Sequence, residues 1–274
     1  MTEKISKRRQ LYLKNEKRHR RKILFWQIGI LIVFIGLWEA LAAVGIIDSF
    51  IFSQPSRIFK TYVGMAQNGL LQHIGVTVFE TLAGFLLGAG AGTVLATLLW
   101  WSPFASKVSE PYLVVLNSLP KIALGPVIII IAGAGTRAIV VMALAISLIV
   151  TVLEMLGGFH RTDAEYIRMA ETFGAVRWQV FFKIVLPYNV STLFNSLKIN
   201  IGLSLVGVIA GEFLVSKAGL GYLIVYGGQV FRMDLVMTGV ILLSVMAAGM
   251  YQDIEHPTHF RCIEDWESYE DLMN

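Results

Sequence analysis

The sequence predicts an all-α, polytopic membrane protein with about six transmembrane helices. Of its 274 residues, 55% are hydrophobic and only 15% are charged, and the mean hydropathy is +0.65. A typical soluble domain carries about 25% charged residues. The apolar residues also come in runs of about 20, which is the length that an α-helix needs to cross the hydrocarbon core of a bilayer. Together these features argue strongly against a soluble cytosolic enzyme.

The first span is expected at residues 23–47, where Gln27 and Glu39 are the strongly polar interruptions. A basic leader at 1–22, with ten Lys and Arg, precedes it. A signal peptide is the alternative interpretation, but the apolar run is too long and has no clear cleavage site between small residues. We therefore predict a retained span.

The second and third spans are expected at 77–101 and 108–132, after a loop with at most one interfacial helix at 48–72. Trp100 and Trp101 are typical of the aromatic belt at a membrane surface. The third run contains three prolines, which remove helical hydrogen bonds and bend a helix. It is therefore predicted to be kinked rather than straight.

The second half of the chain predicts three further spans, which alternate with polar or glycine-rich segments. The fourth, fifth and sixth spans are expected at 138–156, 189–214 and 235–251. A long polar segment at 157–187 and a Gly-rich connection at 217–232 separate them. The domain organisation is thus a leader at 1–22, a transmembrane domain at 23–251 and an acidic tail at 252–274.

The distribution of basic residues predicts the orientation. With the N-terminus inside, the inside segments hold 16 Lys and Arg and the outside segments hold five. Because the cytoplasmic loops of membrane proteins carry the excess of Lys and Arg, both termini are expected to be cytoplasmic. The basic leader then fixes orientation and contacts anionic lipid; nucleic-acid binding is not expected, since no folded basic domain accompanies it.

Motifs of enzyme chemistry are absent from the sequence. There is no phosphate-binding loop of the G-x-x-x-x-G-K-[ST] type, no H-E-x-x-H and no G-x-S-x-G, and the five His do not cluster at ligand spacing. The single cysteine, Cys262, can form no internal disulfide. We expect no catalytic residues, no metal and no cofactor in this chain.

The polar segment before the fifth span predicts two short helices joined at Gly174. Thr162 and Glu165 have the spacing of a capping box, which would begin the first helix. Gly174 would end it, a second helix would run over about 175–184, and Pro187 would mark the turn into the fifth span. Aromatic and basic residues make this segment amphipathic. Docking in a groove of a partner and packing on its own bundle are both open interpretations.

The same segment resembles the EAA loop of binding-protein-dependent ABC importer permeases. That pattern is E-A-A, three residues, G, nine residues, I-x-L-P, and its matching positions here are Ala170, Gly174, Ile184, Leu186 and Pro187. Three other stretches also look like permeases for sulfonate, taurine, nitrate and similar compounds, over roughly residues 37–250. They are LWEALAAVGIID with SQPSRIF, LNSLPKIALGP and GEFLVSKAGLGYLI.

The resemblance implies a transport subunit without its own ATPase site. It implies a second permease copy as a homodimer partner, separate ABC ATPase subunits that use ATP-Mg, an extracytoplasmic solute-binding protein, and a bacterial inner-membrane location among lipid. The residues expected to couple to the ATPase are Thr162, Glu165, Ala170, Gly174, Arg177, Ile184, Leu186 and Pro187. Two features depart from the family: Arg168 and Met169 replace the first Glu and Ala of the pattern, and the tail is acidic.

Ionisable groups inside spans are costly and are therefore candidates for function. These are Glu39, Glu80, Lys121, Lys198 and Glu212. We predict that the fifth span lines the substrate pathway and that Lys198 attracts an anionic solute, although Lys198 could instead extend to the cytoplasmic surface. The predicted pathway residues are Lys198, Asn200, Ser204 and Glu212.

The sequence therefore predicts the permease subunit of an ATP-driven importer that works by alternating access. An ion-gradient-driven carrier or channel is the alternative, and it would require more ionisable residues facing one another across several spans. A membrane scaffold is the third interpretation.

Overall fold

The structure is a computed structural model that describes the backbone of residues 7–272. Side chains are described for residues 21–252 and, before them, for Lys14, Arg18 and His19. Throughout these residues the regular structure is helical, which confirms the all-α prediction. The α-helices are α1 (Lys7–Ala43), α2 (Pro55–Ala66), α3 (Leu70–Trp101), α4 (Pro103–Ser118), α5 (Gly125–Ala132), α6 (Thr136–His160), α7 (Ala164–Thr172), α8 (Arg177–Val180), α9 (Leu186–Tyr188), α10 (Val190–Val215), α11 (Leu220–Gln229) and α12 (Met233–Leu272).

Six crossings of a membrane can be traced in the described chain. Five come from single helices that are long and apolar enough, namely parts of α1 and α12 and the whole of α3, α6 and α10. The sixth is a bent pair in which Pro103–Ser118 and Lys121–Ala132 meet at 85°. The predicted number of about six is confirmed.

The third span is bent far more than the predicted kink. Leu119 is extended, with ψ 139°, because the following Pro120 disfavours helical backbone at the residue before it. Pro111 lies inside α4 without ending the helix, and Pro126 is accommodated in the first turn of α5. One of the three prolines therefore makes the break.

Several predicted boundaries are wrong by a turn or two. The second span begins at Leu70 rather than 77, because Gly69 ends the preceding turn with φ +89°. The first ends at Ala43 rather than 47. The glycine-rich connection predicted at 217–232 contains a helix that was not predicted, because α11 occupies most of it. The side chains of the acidic tail lie outside the described residues.

Helices α3, α6 and α10 form the centre of the bundle and approach one another through glycines. A Cβ added at Gly207 would lie 2.7 Å from the Cα of Ala143, and one at Gly211 would lie 3.1 Å from the Cα of Ile139. On the other side of α6, Gly84 packs against the same Ala143. Small residues let helix backbones come this close. These glycines therefore serve packing within the chain.

Helices α1 and α2 lie at the edge of this bundle. The most apolar stretch of α1 buries no residue against the rest of the chain, and Ala42 near the end of the helix is buried. Glu39 near its end accepts a hydrogen bond from the backbone N–H of Ser56 in the first turn of α2, at 3.0 Å. On α2, Thr61 donates to the carboxylate of Asp234 at 2.7 Å, which joins α2 to the start of α12.

Candidate functional site

The coupling elbow, residues 162–187, connects α6 to α10. Its first helix, α7, begins at Asp163, whose side chain accepts a hydrogen bond from the backbone N–H of Glu165 at 2.9 Å. The predicted capping box of Thr162 and Glu165 is therefore wrong. Asp and Thr are both good capping residues, and here Thr162 is engaged elsewhere.

Thr162 is buried and ties the two ends of the elbow together. The Nδ2 group of Asn189 donates to the hydroxyl of Thr162 at 2.8 Å and to the carbonyl of Val185 at 2.9 Å. Asn189 directly precedes α10. The base of the elbow is thus closed by a hydrogen bond between residues that are 27 positions apart.

Gly174 ends α7, as predicted, and the mechanism is now visible. Its φ is +81°, a left-handed conformation that favours glycine. The N–H of Gly174 donates to the carbonyl of Glu171 at 2.9 Å, and the N–H of Ala175 donates to that of Ala170 at 3.0 Å. This pair of bonds is the Schellman arrangement. It explains the glycine at position 174, whereas the carbonyl at position 170 could come from any residue.

The second half of the elbow is one helical path with a widened turn. Arg177–Val180 continues through a π-helical turn at Phe181–Val185 into Leu186–Tyr188. Ile184 and Leu186 are partly buried and Pro187 is exposed. The turn into α10 occurs at Asn189, two residues beyond the predicted Pro187, because the π turn lets the path continue past the proline.

An aromatic cluster fixes this second half to the end of α3. The ring of Phe181 is buried and lies 5.0 Å from Trp100, 5.9 Å from Trp101 and 5.4 Å from Phe159, measured between ring centroids. The guanidinium of Arg177 lies 5.6 Å from the centroid of Trp100, within cation–π range. Arg177 is therefore directed to the chain's own bundle.

The elbow tip, which consists of Tyr166, Met169, Phe173 and Val176, is exposed and apolar. No residue of α7 is buried, and Phe173 is 85% exposed. A single loop thus combines a base that is fixed to the bundle with a tip whose side chains are largely exposed, although the ring of Tyr166 lies 6.5 Å from that of Tyr188. The base packs on the chain's own bundle, and docking of the tip on a partner stays a prediction.

The predicted pathway residues divide between opposite faces of α10. Asn200 and Ser204 are fully buried in the helix packing, and Asn200 donates to the carbonyl of Ser196 at 2.8 Å. Their role in a substrate pathway stays a prediction. Lys198 is partly buried and makes no hydrogen bond or ion pair with the described part of the chain.

An apolar groove of about 570 Å³ lies on the other side of α10. Val206, Ile209 and Phe213 line it from α10, and Ile122 and Pro126 line it from the bent third span. Lys198 precedes Ile209 by eleven residues, or about three helical turns, so the two share one face of α10. Lys198 therefore lies in line with the groove, towards the elbow end of the helix.

Glu212 is buried near the end of α10, where α11 covers it. The hydroxyl of Thr77 donates to Glu212 Oε1 at 2.6 Å, and the N–H of Gly221 donates to Oε2 at 2.5 Å. Thr77 in turn accepts from the N–H of Leu220 at 2.8 Å. The first turn of α11 therefore binds the carboxylate of Glu212, which lies inside the helix packing.

Two glycines allow this contact. A Cβ at Gly221 would lie 2.8 Å from Glu212 Oε2, and one at Gly219 would overlap the same carboxylate. Neither Thr77 nor the role of these glycines was predicted from the sequence, where the Gly-Leu-Gly segment was notable only for its family resemblance. The one signal that could have indicated the contact is a Gly-x-Gly that closely follows an ionisable residue within a span.

The chain was compared with known proteins. Residues 84–251 match the family described as binding-protein-dependent transport system inner membrane component. The chain belongs to this family. It is accordingly a multi-pass membrane protein and the permease subunit of an ABC importer, and membership implies ATPase and substrate-binding protein partners.

Three relatives resemble this permease over most of its length. An ABC transporter permease protein of Haemophilus influenzae is 27% identical over 85% of this chain and 93% of its own. The aliphatic sulfonates transport permease protein SsuC of Bacillus subtilis is 24% identical, over 84% of each chain. The taurine transport system permease protein TauC of Escherichia coli is 24% identical, over 85% of this chain and 90% of its own.

Two solved structures share the fold of this permease. A chain of the MetNI methionine ABC transporter in an inward-facing conformation has a TM-score of 0.63 at 17% identity, over 69% of this chain and 94% of that chain. A chain of a bacterial ABC transporter that imports the polysaccharide alginate also has a TM-score of 0.63, at 15% identity, over 89% and 97%. The predicted membership of the importer permeases is confirmed.

Proposed function

We propose that this permease moves a small organic solute, of the sulfonate, taurine or nitrate type, by alternating access driven through its coupling elbow. The observation that carries the proposal is the contrast between the two halves of the elbow. Its base is closed by the Thr162–Asn189 hydrogen bond, whereas its tip exposes Phe173 and its apolar neighbours. A surface of this kind suits a groove on a partner protein.

In the proposed assembly, two permease copies contact two ABC ATPase subunits through the elbow tips. The ATPase subunits hold ATP-Mg, and this chain contributes no nucleotide site of its own. Both termini of the permease lie in the cytoplasm of the bacterial cell, and a solute-binding protein delivers the solute on the other side. The support for the solute class is the similarity to SsuC and TauC.

The pathway would follow the face of α10 that carries Lys198 and the apolar groove. The groove has the volume of a small-molecule site. A second copy facing it would enclose a passage, and the ammonium of Lys198 would attract an anionic group. The partly buried charge of Lys198 has no counter-charge among the described residues, which leaves it available to a solute.

The docking of the elbow tip can be tested with one substitution and a matched control. Phe173→Ala is expected to weaken co-purification of the permease with its cognate ABC ATPase subunit, and to lower ATPase stimulation in proteoliposomes. Phe104→Ala removes a ring of similar exposure, 78%, at the start of α4, and should change neither measurement. Both variants should retain the thermal stability of the wild type, since neither ring is buried.

Three results would contradict the proposal. Unchanged ATPase binding by the Phe173 variant would exclude the tip as the docking surface. An equal loss in both variants would show a nonspecific effect of removing surface rings. Movement of taurine by the permease alone, without ATPase subunits or ATP, would favour the carrier or channel.

A further inference from the structure

We propose that Glu80 and Glu212 together form a proton-binding site inside the bundle, in which Glu80 is a protonated carboxylic acid that donates a hydrogen bond to the carboxylate of Glu212. The site connects α3, α10 and α11. The inference is independent of the proposed function, because neither the elbow nor a transported solute enters the argument.

The first observation is that two carboxyl groups are buried side by side. Glu80 and Glu212 are each 1% exposed. The polar neighbours of Glu80 are Glu212 and Thr136, the first residue of α6. Two neighbouring negative charges in an apolar interior repel each other, and neither is compensated by water. One proton shared between them removes the repulsion and one of the two buried charges.

The second observation is that Glu80 has no hydrogen-bond partner. Neither of its carboxyl oxygens is paired with any group in the described part of the chain. Ionised carboxylates only accept hydrogen bonds, so two of them cannot bond to each other. A proton on Glu80 turns this unpaired contact into an O–H···O hydrogen bond, which satisfies a buried group that is otherwise costly to leave alone.

The surroundings decide which of the two groups holds the proton. Glu212 accepts hydrogen bonds from the Thr77 hydroxyl and the Gly221 N–H, and it lies at the N-terminus of α11. Both features stabilise the ionised form. Glu80 has fewer such groups around it, since Thr136 is its one polar neighbour besides Glu212 in the described part of the chain. Glu80 is therefore the acid of the pair.

No cation substitutes for the proton among the groups that the structure describes. Neither carboxyl forms an ion pair with a Lys or Arg of that part of the chain. His73 accepts the N–H of Gly219 on Nδ1, at 3.0 Å, and stacks on Tyr222. Arg137 follows Thr136 on α6 but is exposed. The remaining titratable groups on the helices packed against α3 form no hydrogen bond or ion pair with either carboxyl in the described part of the chain. They are Arg57, Lys60, Tyr62, Lys107, Glu110, Tyr112, Glu154, His160, Lys198 and Tyr226.

A metal ion fits this site less well than a proton. The groups that face Glu212 are N–H and O–H donors, whereas a cation such as Na⁺ or Ca²⁺ requires oxygen acceptors. Among the described residues no cluster of three or more His, Cys, Asp or Glu is arranged to hold a metal. The site therefore binds a proton.

The shared proton would make the attachment of α11 sensitive to pH. The folded state binds this proton more tightly than the unfolded chain does, so stability falls as the pH rises and the proton is lost. Without it, repulsion between the two carboxylates acts directly on the residue that holds the first turn of α11. The bond from the Gly221 N–H to Glu212 would then be strained.

Infrared difference spectroscopy of the full-length permease in lipid nanodiscs tests the proposal. Subtraction of the Glu80→Gln spectrum from that of the wild type at neutral pH should leave the carbonyl stretch of a protonated carboxylic acid. Glu154→Gln is the matched control, since Glu154 Oε2 is also buried without a partner. Subtraction of the Glu154→Gln spectrum is not expected to leave a band at the frequency of the Glu80 band.

A pH series provides a second measurement, which does not depend on a substitution. The band should disappear from the wild type as the pH becomes alkaline, and the thermal midpoint should fall over the same range. In Glu80→Gln that fall should be absent, because an amide donates to Glu212 at every pH. The absence of the band from the wild type at neutral pH, its survival in Glu80→Gln, or an unchanged pH dependence of that variant would overturn the proposal.

Discussion

Replacement of Phe181 by alanine is expected to release the second half of the coupling elbow from the bundle. Phe181 is 2% exposed and is surrounded by the rings of Trp100, Trp101, Phe159 and Phe182. Phe181 belongs to the elbow, whereas Trp100 and Trp101 belong to α3 and Phe159 belongs to α6. The substitution therefore removes the shared centre of the cluster.

The expected cost follows from these contacts. Four aromatic pairs contribute about 0.5 kcal/mol each at the low end of their range, or about 2 kcal/mol in all. Loss of buried area and the resulting cavity bring a buried Phe→Ala change to about 3–5 kcal/mol. A factor of ten in an equilibrium constant corresponds to about 1.4 kcal/mol. Local opening of the elbow should therefore become more frequent by about a hundredfold or more.

Amide hydrogen exchange of the permease in nanodiscs measures this opening directly. The amides of residues 181–189, apart from Pro187, should exchange about a hundredfold faster in Phe181→Ala. The amides in the centre of α6 should remain protected. Phe173→Ala is the control, because its ring is on the same elbow but is exposed. An increase of less than tenfold, or the same increase in both variants, would refute the conclusion that the aromatic cluster holds the elbow.

Two further substitutions test the elbow and the groove. Gly174→Ala should lower the thermal midpoint, since left-handed backbone costs a residue with a Cβ about 1–2 kcal/mol. Gly157→Ala, at a helical glycine with equally open surroundings, is the control and should not lower the thermal midpoint. Equal effects of the two substitutions would contradict the capping role of Gly174. Lys198→Met should reduce ATP-driven uptake of an alkyl sulfonate at least severalfold while ATPase stimulation persists. Lys107→Met is its control, and unchanged uptake by the Lys198 variant would remove that residue from the pathway.

The spans could be predicted from sequence because their signal is local. A helix must satisfy its own backbone in the bilayer, so apolar runs of sufficient length suffice to locate it. A kink in the third span and the end of α7 at Gly174 were predicted for the same reason, since each depends on the backbone preferences of a few residues. The errors at these elements concern the exact ends of helices and the size of the bend, which is 85°.

Features that depend on distant residues could not be predicted. Thr162 and Asp163 are adjacent and both suit a helix cap, and the choice between them depends on Asn189, 26 or more residues away. Helix α11 was missed because its glycines lower helix propensity. Two of the glycines around its start are required instead by the close approach of its backbone to Glu212.

Helix α10 is hydrogen-bonded at both ends, and it connects the elbow mechanically to the far side of the bundle. At its start, Asn189 is bonded to Thr162 of the elbow, and near its end, Glu212 holds the first turn of α11. Asn189 and Glu212 are 23 positions apart, a distance of about 35 Å along the α-helix. Because Gly207 and Gly211 pack directly on the backbone of α6, α10 cannot slide past that helix without breaking close contacts. A force that the ATPase subunits apply to the elbow would therefore move α6, α10 and α11 together, and the groove between α10 and the bent third span is where such a movement would change the shape of the pathway.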